Sequence, residues 1–186
     1  MKIVIIGGGK VGQTIASQLT REGHNITVID QNRQVADRIS DSLDCMTLCG
    51  SGASLELLRA AGVDKSDLVI ACTAQDELNM LCCVFARRLG CTQTIARVRS
   101  PEYAEQLYFF KDELGLSMTV NPEHNAAEEI FRLMRGCDYL ITDYSSLALE
   151  GAALDKKTLY YLFDHDRYTR ENGLNVDPAE GMPQDR

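Results

Sequence analysis

Two apolar rhythms alternate along the first two thirds of the chain. Short runs rich in β-branched residues stand at 3–6, 26–29, 68–71 and 94–98, with a weaker one at 45–49. Gly7, Asn25, Asp30, Gly50 and Asp67 punctuate them, and each run is too short for a helix. Between them the period lengthens to that of a helix. Leu78, Leu81, Cys82, Phe85, Ala86 and Leu89 step along one helical face, and Val11, Ile15 and Leu19 do the same earlier. Ser100-Pro101 and Asn121-Pro122 each set a capping residue before a proline at the first helical position. The segment after Asn121 is therefore expected to be a helix, with Ala126, Ala127, Ile130, Leu133 and Met134 on its apolar side.

Continuously apolar strands that alternate with helices predict a parallel sheet covered on both faces. Five or six such units in 136 residues fit an α/β, Rossmann-like doubly wound sheet. A final helix, from about residue 122 to 135, and a short α/β tail follow it.

Composition narrows the function. The chain has 186 residues, 45% hydrophobic and 25% charged, with a net charge of −8. These are ordinary globular proportions. The acidic balance argues against a general nucleic-acid binder, which needs a basic face for phosphates. No window approaches the ~18 apolar residues of a membrane span, and the opening apolar run is too short for a signal segment. The seven cysteines are odd in number, lack a CxxC spacing and mostly sit in apolar runs. With no disulfide framework and no metal-ligand spacing, they predict a reducing, cytoplasmic setting.

The charge is uneven. Residues 1–136 hold 14 Lys+Arg and 17 Asp+Glu, a net of −3, whereas residues 137–186 hold 5 and 10, a net of −5. Five of the seven tyrosines also fall in the second stretch. This places a domain seam near 136, dividing the chain into 1–136 and 137–186.

The candidate chemistry begins at Gly7-x-Gly9-x-x-Gly12, directly after the first strand and opening the first helix. The first glycine permits a tight turn, the second admits a pyrophosphate to the backbone, and the third lets helix and strand pack closely. Lys10 and Val11 then start a helix whose free N–H groups suit phosphate. Asp30 ends the second strand, 18 residues after Gly12. A carboxylate there can accept from both hydroxyls of an adenosine ribose and repels a 2′-phosphate, which favours NAD(H) over NADP(H). Gln31 and Arg33 follow it, and Arg33 weakens that preference.

Other positions should gather at the same carboxyl edge of the sheet, where ligands bind in open α/β folds. Cys49, Gly50 and Ser51 follow the third strand, and Thr73 and Ala74 follow the fourth. Thr73 suits either a ribose or phosphate contact or a helix cap, since Thr73-x-x-Asp76 has the form of a capping box. Arg97 and Arg99, two apart at the end of the fifth strand, suit either ligand phosphates or ion pairs with Asp76 or Glu77. No His/Asp or Lys/Tyr pair stands where a dehydrogenase would need acid–base help. The nucleotide is therefore expected to act as an effector rather than a reactant, with a small NAD-dependent oxidoreductase as the alternative.

Longer strings carry a resemblance. They are Ile5-Ile6-Gly7-Gly8-Gly9-Lys10-Val11-Gly12, Ala71-Cys72-Thr73-Ala74-Gln75-Asp76-Glu77-x-Asn79-Met80, Ile95-Ala96-Arg97-Val98-Arg99-Ser100-Pro101-Glu102-Tyr103 and Asn121-Pro122-Glu123. Residues 1–136 resemble the N-terminal nucleotide-binding domain of the TrkA-type (RCK, or KTN) regulators of bacterial Trk potassium uptake. That resemblance implies a regulatory subunit that binds NAD(H), or alternatively ATP/ADP or AMP. It brings Asp76, Asn79 and Arg97 into the candidate site beside the residues above. It also implies a homodimer or higher oligomer, its last helix crossing to a partner subunit, bound to the inner face of the membrane through a potassium transporter.

After 136 the pattern changes. Asp138-Tyr139-Leu140-Ile141-Thr142-Asp143-Tyr144-Ser145-Ser146, then Leu154-Asp155-Lys156-Lys157, Asp164-x-Asp166-x-Tyr168 and Asn172-Gly173-Leu174, resemble part of the CDP-glycerol glycerophosphotransferases that build teichoic acid. The resemblance implies that Ser145 and Ser146 match contacts to donor phosphates. The region of that family bearing the catalytic base has no counterpart, so a remnant without transferase activity is expected. A natural fusion, a truncated reading frame or an artificial boundary would each produce such a seam. A strand at 139–142, a helix at 146–153 and a strand at 158–163 are expected there.

Overall fold

Strict alternation within fully apolar strands lets one sheet feed two cores. Ile3 and Ile5 of β1 (Lys2–Ile6) face one side, and Val4 and Ile6 face the other, all essentially without solvent exposure. In a computed structural model of the chain, residues 1–143, 145–162, 167 and 170 are described, apart from the side chains of Ala104, Glu105 and Tyr108. They divide into two compact units, Met1–His124 and Asn125–Arg186.

The first unit holds β1, α1 (Lys10–Arg21), β2 (Asn25–Asp30), α2 (Arg33–Ser42), β3 (Met46–Cys49) and α3 (Leu55–Ala60). A 3-10 turn (Val63–Lys65) leads to β4 (Leu68–Ala71), α4 (Asp76–Leu89), β5 (Gln93–Arg97), α5 (Pro101–Phe110) and β6 (Met118–Val120). All six strands are parallel, in the order β3-β2-β1-β4-β5-β6. The chain winds outward from β1 in one direction, then returns to β4 and winds in the other. Val11, Ile15, Ala16 and Leu19 of α1, with Val35 and Ile39 of α2, cover Ile3, Ile5, Ile26 and Val28 on one face. Leu58 of α3, Cys82, Cys83 and Ala86 of α4 and Leu107 of α5 cover Val4, Ile6, Val69 and Ala96 on the other. This is the doubly wound Rossmann-like sheet that the alternation predicted, and its switch point lies between β1 and β4.

Several local expectations changed. β5 ends at Arg97, so Arg99 stands beyond the strand. The helix cap before α4 is Gln75 rather than Thr73, because Thr73 is spent on a turn described below. β6 is a three-residue edge strand that the hydrophobic pattern did not announce. Ser100 does precede Pro101 at the start of α5. The Asn121 side chain accepts from the backbone N–H of His124, capping α6 (Pro122–Gly136).

In the second unit, β7 (Tyr139–Thr142) and β8 (Lys157–Tyr160) pair in parallel through α7 (Leu147–Ala153). Gly151 lets α7 approach the strands, since a Cβ there would stand 2.7 Å from Leu140 Cδ2. The α-carbon register Leu140↔Thr158 and the buried Thr142 and Ala148 complete this small βαβ layer. Tyr144, the end of the expected strand at Phe163, and the matched Asp164, Asp166, Tyr168 and Asn172-Gly173-Leu174 lie outside the described residues.

Candidate functional site

A cleft of about 510 Å³ opens at the carboxyl ends of β1, β2 and β4, on the switch point of the sheet. That size and place suit a nucleotide-sized ligand. Of the residues expected in the site, Gly7, Gly9, Lys10, Val11, Asp30, Gln31, Gly50, Thr73, Ala74 and Arg97 line it. Ile6, Ile29, Gly52, Cys72, Gln75 and Leu78 line it too, from strand ends, the loops after β3 and β4, and the first turn of α4. Gly12, Arg33, Cys49, Ser51, Asp76 and Asn79 lie outside its lining.

The three glycines do different work. Gly7 has a φ of +104°, which a side chain rarely tolerates. Gly12 packs so closely that a Cβ would fall 1.8 Å from Gly7 O. A Cβ on Gly9 would meet no described atom within 4 Å, so no contact within the protein demands a glycine there. Gly9 is the cap residue of α1, with no side-chain cap and no acid in the first turn. The N–H groups of that turn therefore face the cleft with Lys10 beside them. A phosphate group fits this cradle, where both backbone and charge favour it.

Asp30 closes the turn from β2. Its Oδ2 accepts from the Gly8 N–H and its Oδ1 from the Asn32 N–H, both at 2.7 Å. Asp30 lines the cleft, and each carboxylate oxygen has the capacity to accept a further hydrogen bond. Cys72 backs the turn from β4 and donates to Gly7 O at 3.4 Å. Burial pushes its thiol up to about 11, so it stays protonated and is no nucleophile at neutral pH.

The opposite wall is braced by one buried amide. Asn79 is fully enclosed. Its Oδ1 accepts from the Thr73 N–H (2.8 Å) and hydroxyl (2.7 Å), and its Nδ2 donates to Thr73 O (3.3 Å) and Arg97 O (2.9 Å). Asn79 thus ties the tips of β4 and β5 together from α4. Thr73 Oγ1 also accepts from the Gln75 N–H, which displaces the expected cap. Asp76 is the companion brace. Its Oδ2 accepts from the N–H groups of Arg99 and Ser100, both at 2.8 Å, and Arg99 Nε lies 3.6 Å from Oδ1. Arg99 also donates to Ala74 O. Arg99 is therefore committed to the protein, as one of the two readings held. Glu77 instead accepts from the Tyr103 hydroxyl at 2.7 Å, which holds its carboxyl below the usual range. Arg97 remains on the cleft wall, paired with Glu123 of α6.

Comparison with known proteins fits this geometry to a family. The family model of the TrkA-N domain matches residues 3–122, the whole glycine-turn unit. The chain belongs to the TrkA-N domain family. A second model, CDP-glycerol:poly(glycerophosphate) glycerophosphotransferase, matches residues 116–186. The Trk system potassium uptake protein TrkA homolog of Methanothermobacter thermautotrophicus is 34% identical over 134 residues, covering 72% of this chain. TrkA of Halomonas elongata is 38% identical over 136 residues, again covering 72% of this chain. The chain spans 60% of the length of the first relative and 30% of the second.

Solved structures share the TrkA-N fold at lower identity. The TrkA-N domain of the inner membrane protein ybaL from Escherichia coli superposes with a TM-score of 0.63 at 19% identity, covering 70% of this chain and 94% of that one. The GsuK channel bound to NAD gives 0.55 at 22%, covering 72% and 22%. The Kef C-terminal domain of Shewanella denitrificans in its AMP-bound form gives 0.58 at 18%, covering 82% and 88%. Among the described residues, no helix is long and apolar enough to cross a membrane.

Proposed function

We propose that this chain is a cytoplasmic, nucleotide-sensing regulatory subunit of a potassium uptake system. Its effector is NAD(H) or an adenine nucleotide (ATP, ADP or AMP), held in the cleft at the switch point. The observation that carries this reading is the Gly9 cradle: a position where a Cβ would meet no described atom, at an uncapped helix start, with the Asp30 carboxylate holding the turn beside it. Phosphate on the α1 N–H groups and ribose on Asp30 is the pose those groups favour. The relatives' names connect such domains with potassium uptake, and the titles of two structures with the same fold report bound NAD and AMP.

The role is regulatory rather than enzymatic. The cleft thiol Cys72 is held protonated, and the cleft residues hydrogen-bond chiefly to backbone. Control of a transporter then follows from different nucleotide affinities in two shapes of the assembly. The assembly itself is a homodimer or higher oligomer, peripheral to the membrane through its transporter. Its contact includes α6, which exposes Ile130, Phe131 and Leu133. Residues 1–136 form the sensing domain, and 137–186 a glycerophosphotransferase-like tail without transferase activity.

Calorimetric titration of the full chain with NADH, NAD, ATP, ADP and AMP tests the reading. At least one should bind, and Asp30→Ala should abolish that binding. If no adenine nucleotide binds, the reading fails. Turnover of NADH with a small carbonyl compound would favour an oxidoreductase instead.

A further inference from the structure

The βαβ layer of the second unit has a helix on one face only. Gly151 brings α7 against Leu140 and Thr158, and Thr142, two residues beyond Leu140, is buried on the same side. Strand alternation turns their neighbours the other way. Tyr139 and Ile141 of β7, Leu159 of β8 and Tyr161 just after it are 55% to 70% exposed. Ile141 stands opposite Leu159 in the register, and Tyr139 opposite Lys157. Lys157 is the one charged residue of the two strands. Its ammonium lies 5.7 Å from the centre of the Tyr139 ring, so a ring rather than an acid meets the charge.

Parallel strands are normally covered on both faces, and an apolar patch of this kind marks a contact. An anionic membrane is a poor partner for it, because residues 137–186 carry a net charge of −5. Residues 164–186 of the same chain are a poor cover, with five hydrophobic residues in 23 and no two of them adjacent. A second copy of the chain meets the need. At roughly 200 Å² for a whole large side chain, the four show roughly 500 Å² per copy. Two such faces bury roughly 1,000 Å² between them, the lower bound of a specific contact and the range of a weak one. Each face carries one cation and two tyrosine rings, so two copies can meet without leaving either lysine unpaired.

We infer that two copies of this chain pack the bare faces of β7 and β8 against each other, sheet on sheet. This self-association surface is separate from α6 and independent of any ligand in the cleft. The contact is isologous, the same patch serving on both copies, and it leaves the two α7 helices on the outside of the stack. Where α6 already makes pairs, the sheet contact joins pairs into larger assemblies. Burial of apolar side chains drives it, while the two acidic tails oppose it, so salt strengthens it by screening their repulsion.

Sedimentation of the full chain from about 1 µM to about 1 mM tests this, with a double variant, Ile141→Glu with Leu159→Lys. The double variant sets opposite charges at facing positions of the two strands, which supports their pairing while making the face polar. Wild type should double in mass with a dissociation constant of about 10–100 µM, and the double variant should raise that constant at least about tenfold. Its unfolding midpoint should stay within about 2 °C of wild type. Leu159→Thr, a milder change that keeps a β-branched residue, should raise the constant about threefold and guards against a folding defect in the double variant. Raising sodium chloride from about 0.1 to 0.5 M should strengthen the wild-type step about twofold or more. Leu133→Glu on α6 should leave this step in place. If the double variant and Leu159→Thr associate as wild type does, or if Leu133→Glu alone removes every concentration-dependent step, the inference is overturned. Weakening by salt would overturn it as well, since the contact would then be electrostatic. A wild-type chain with no such step up to the highest concentration also overturns it, the face then being covered by residues 164–186 or by another protein.

Discussion

The Gly8 N–H donates to Asp30 Oδ2 at 2.7 Å, so the acid at the end of β2 fastens the glycine turn at the end of β1. Asp30 therefore has two tasks, one toward the protein and one toward the ligand. Asp30→Ala removes both, and should cost about 1–2 kcal/mol of stability as well as the nucleotide affinity. Asp30→Asn keeps an acceptor oxygen, so it should recover part of the stability but not the charge-assisted ribose contact. Denaturant unfolding and titration of the two variants separate these tasks.

Asn79 should behave as a stability residue. Its amide closes four hydrogen bonds in a fully buried place, and Asn79→Ala strands the Thr73 and Arg97 backbone groups. A loss of about 3 kcal/mol is expected, seen as a lower midpoint in urea. Asn79→Asp should be no better, because a carboxylate cannot donate to the two carbonyls.

The fold was largely legible because the strands are buried on both sides. Their β-branched runs need no alternation of polar residues, and β4 falls at the predicted limits of 68–71. β6 was not legible, since three residues at a sheet edge leave too little pattern. The glycine turn and Asp30 were readable from spacing alone. A pairing of Arg99 with Asp76 was one of the two readings open for that arginine, but the hold that Asn79 and Asp76 take on the backbone was not legible. Each bonds to backbone that only the parallel pairing of β4 with β5 brings near, and no local pattern marks such a contact. Thr73 was left between a ligand contact and a helix cap; it lines the cleft, and its hydroxyl meets Asn79, six residues on, so the cap position falls to Gln75.

The cysteines give a pH and labelling test. Burial raises Cys72 to about 11 and Cys82 and Cys83 to about 12, above the ordinary thiol value of 9.0. Between about pH 9 and 12 the unfolded chain loses these protons while the folded chain keeps them. Stability should therefore be undiminished by these groups below pH 9, then fall as pH rises toward 12. At neutral pH a thiol reagent should modify exposed Cys49 first, and Cys72, Cys82, Cys83 and Cys91 only on unfolding.

The α6 surface predicts assembly. Leu133 is 64% exposed on that helix, near exposed Ile130 and Phe131. Leu133→Glu should shift the sedimenting species toward monomer while the unfolding midpoint of the isolated subunit stays within about 2 °C. A wild-type chain that sediments as a monomer at all concentrations would remove α6 from the proposed interface.

Gly9 and Gly12 together offer the most direct test of the central claim, that the glycine turn is a nucleotide cradle. Gly12→Ala must push against Gly7 O and should destabilise the fold by about 3 kcal/mol or more. Gly9→Ala meets no described protein atom and sits at a φ of −64° that alanine accepts. The decisive measurement is calorimetric titration of Gly9→Ala with the nucleotide that binds wild type, beside its thermal unfolding. The account predicts an unfolding midpoint within about 2 °C of wild type and an affinity at least about tenfold weaker. A Gly9→Ala protein that is equally folded and binds as tightly as wild type would contradict it.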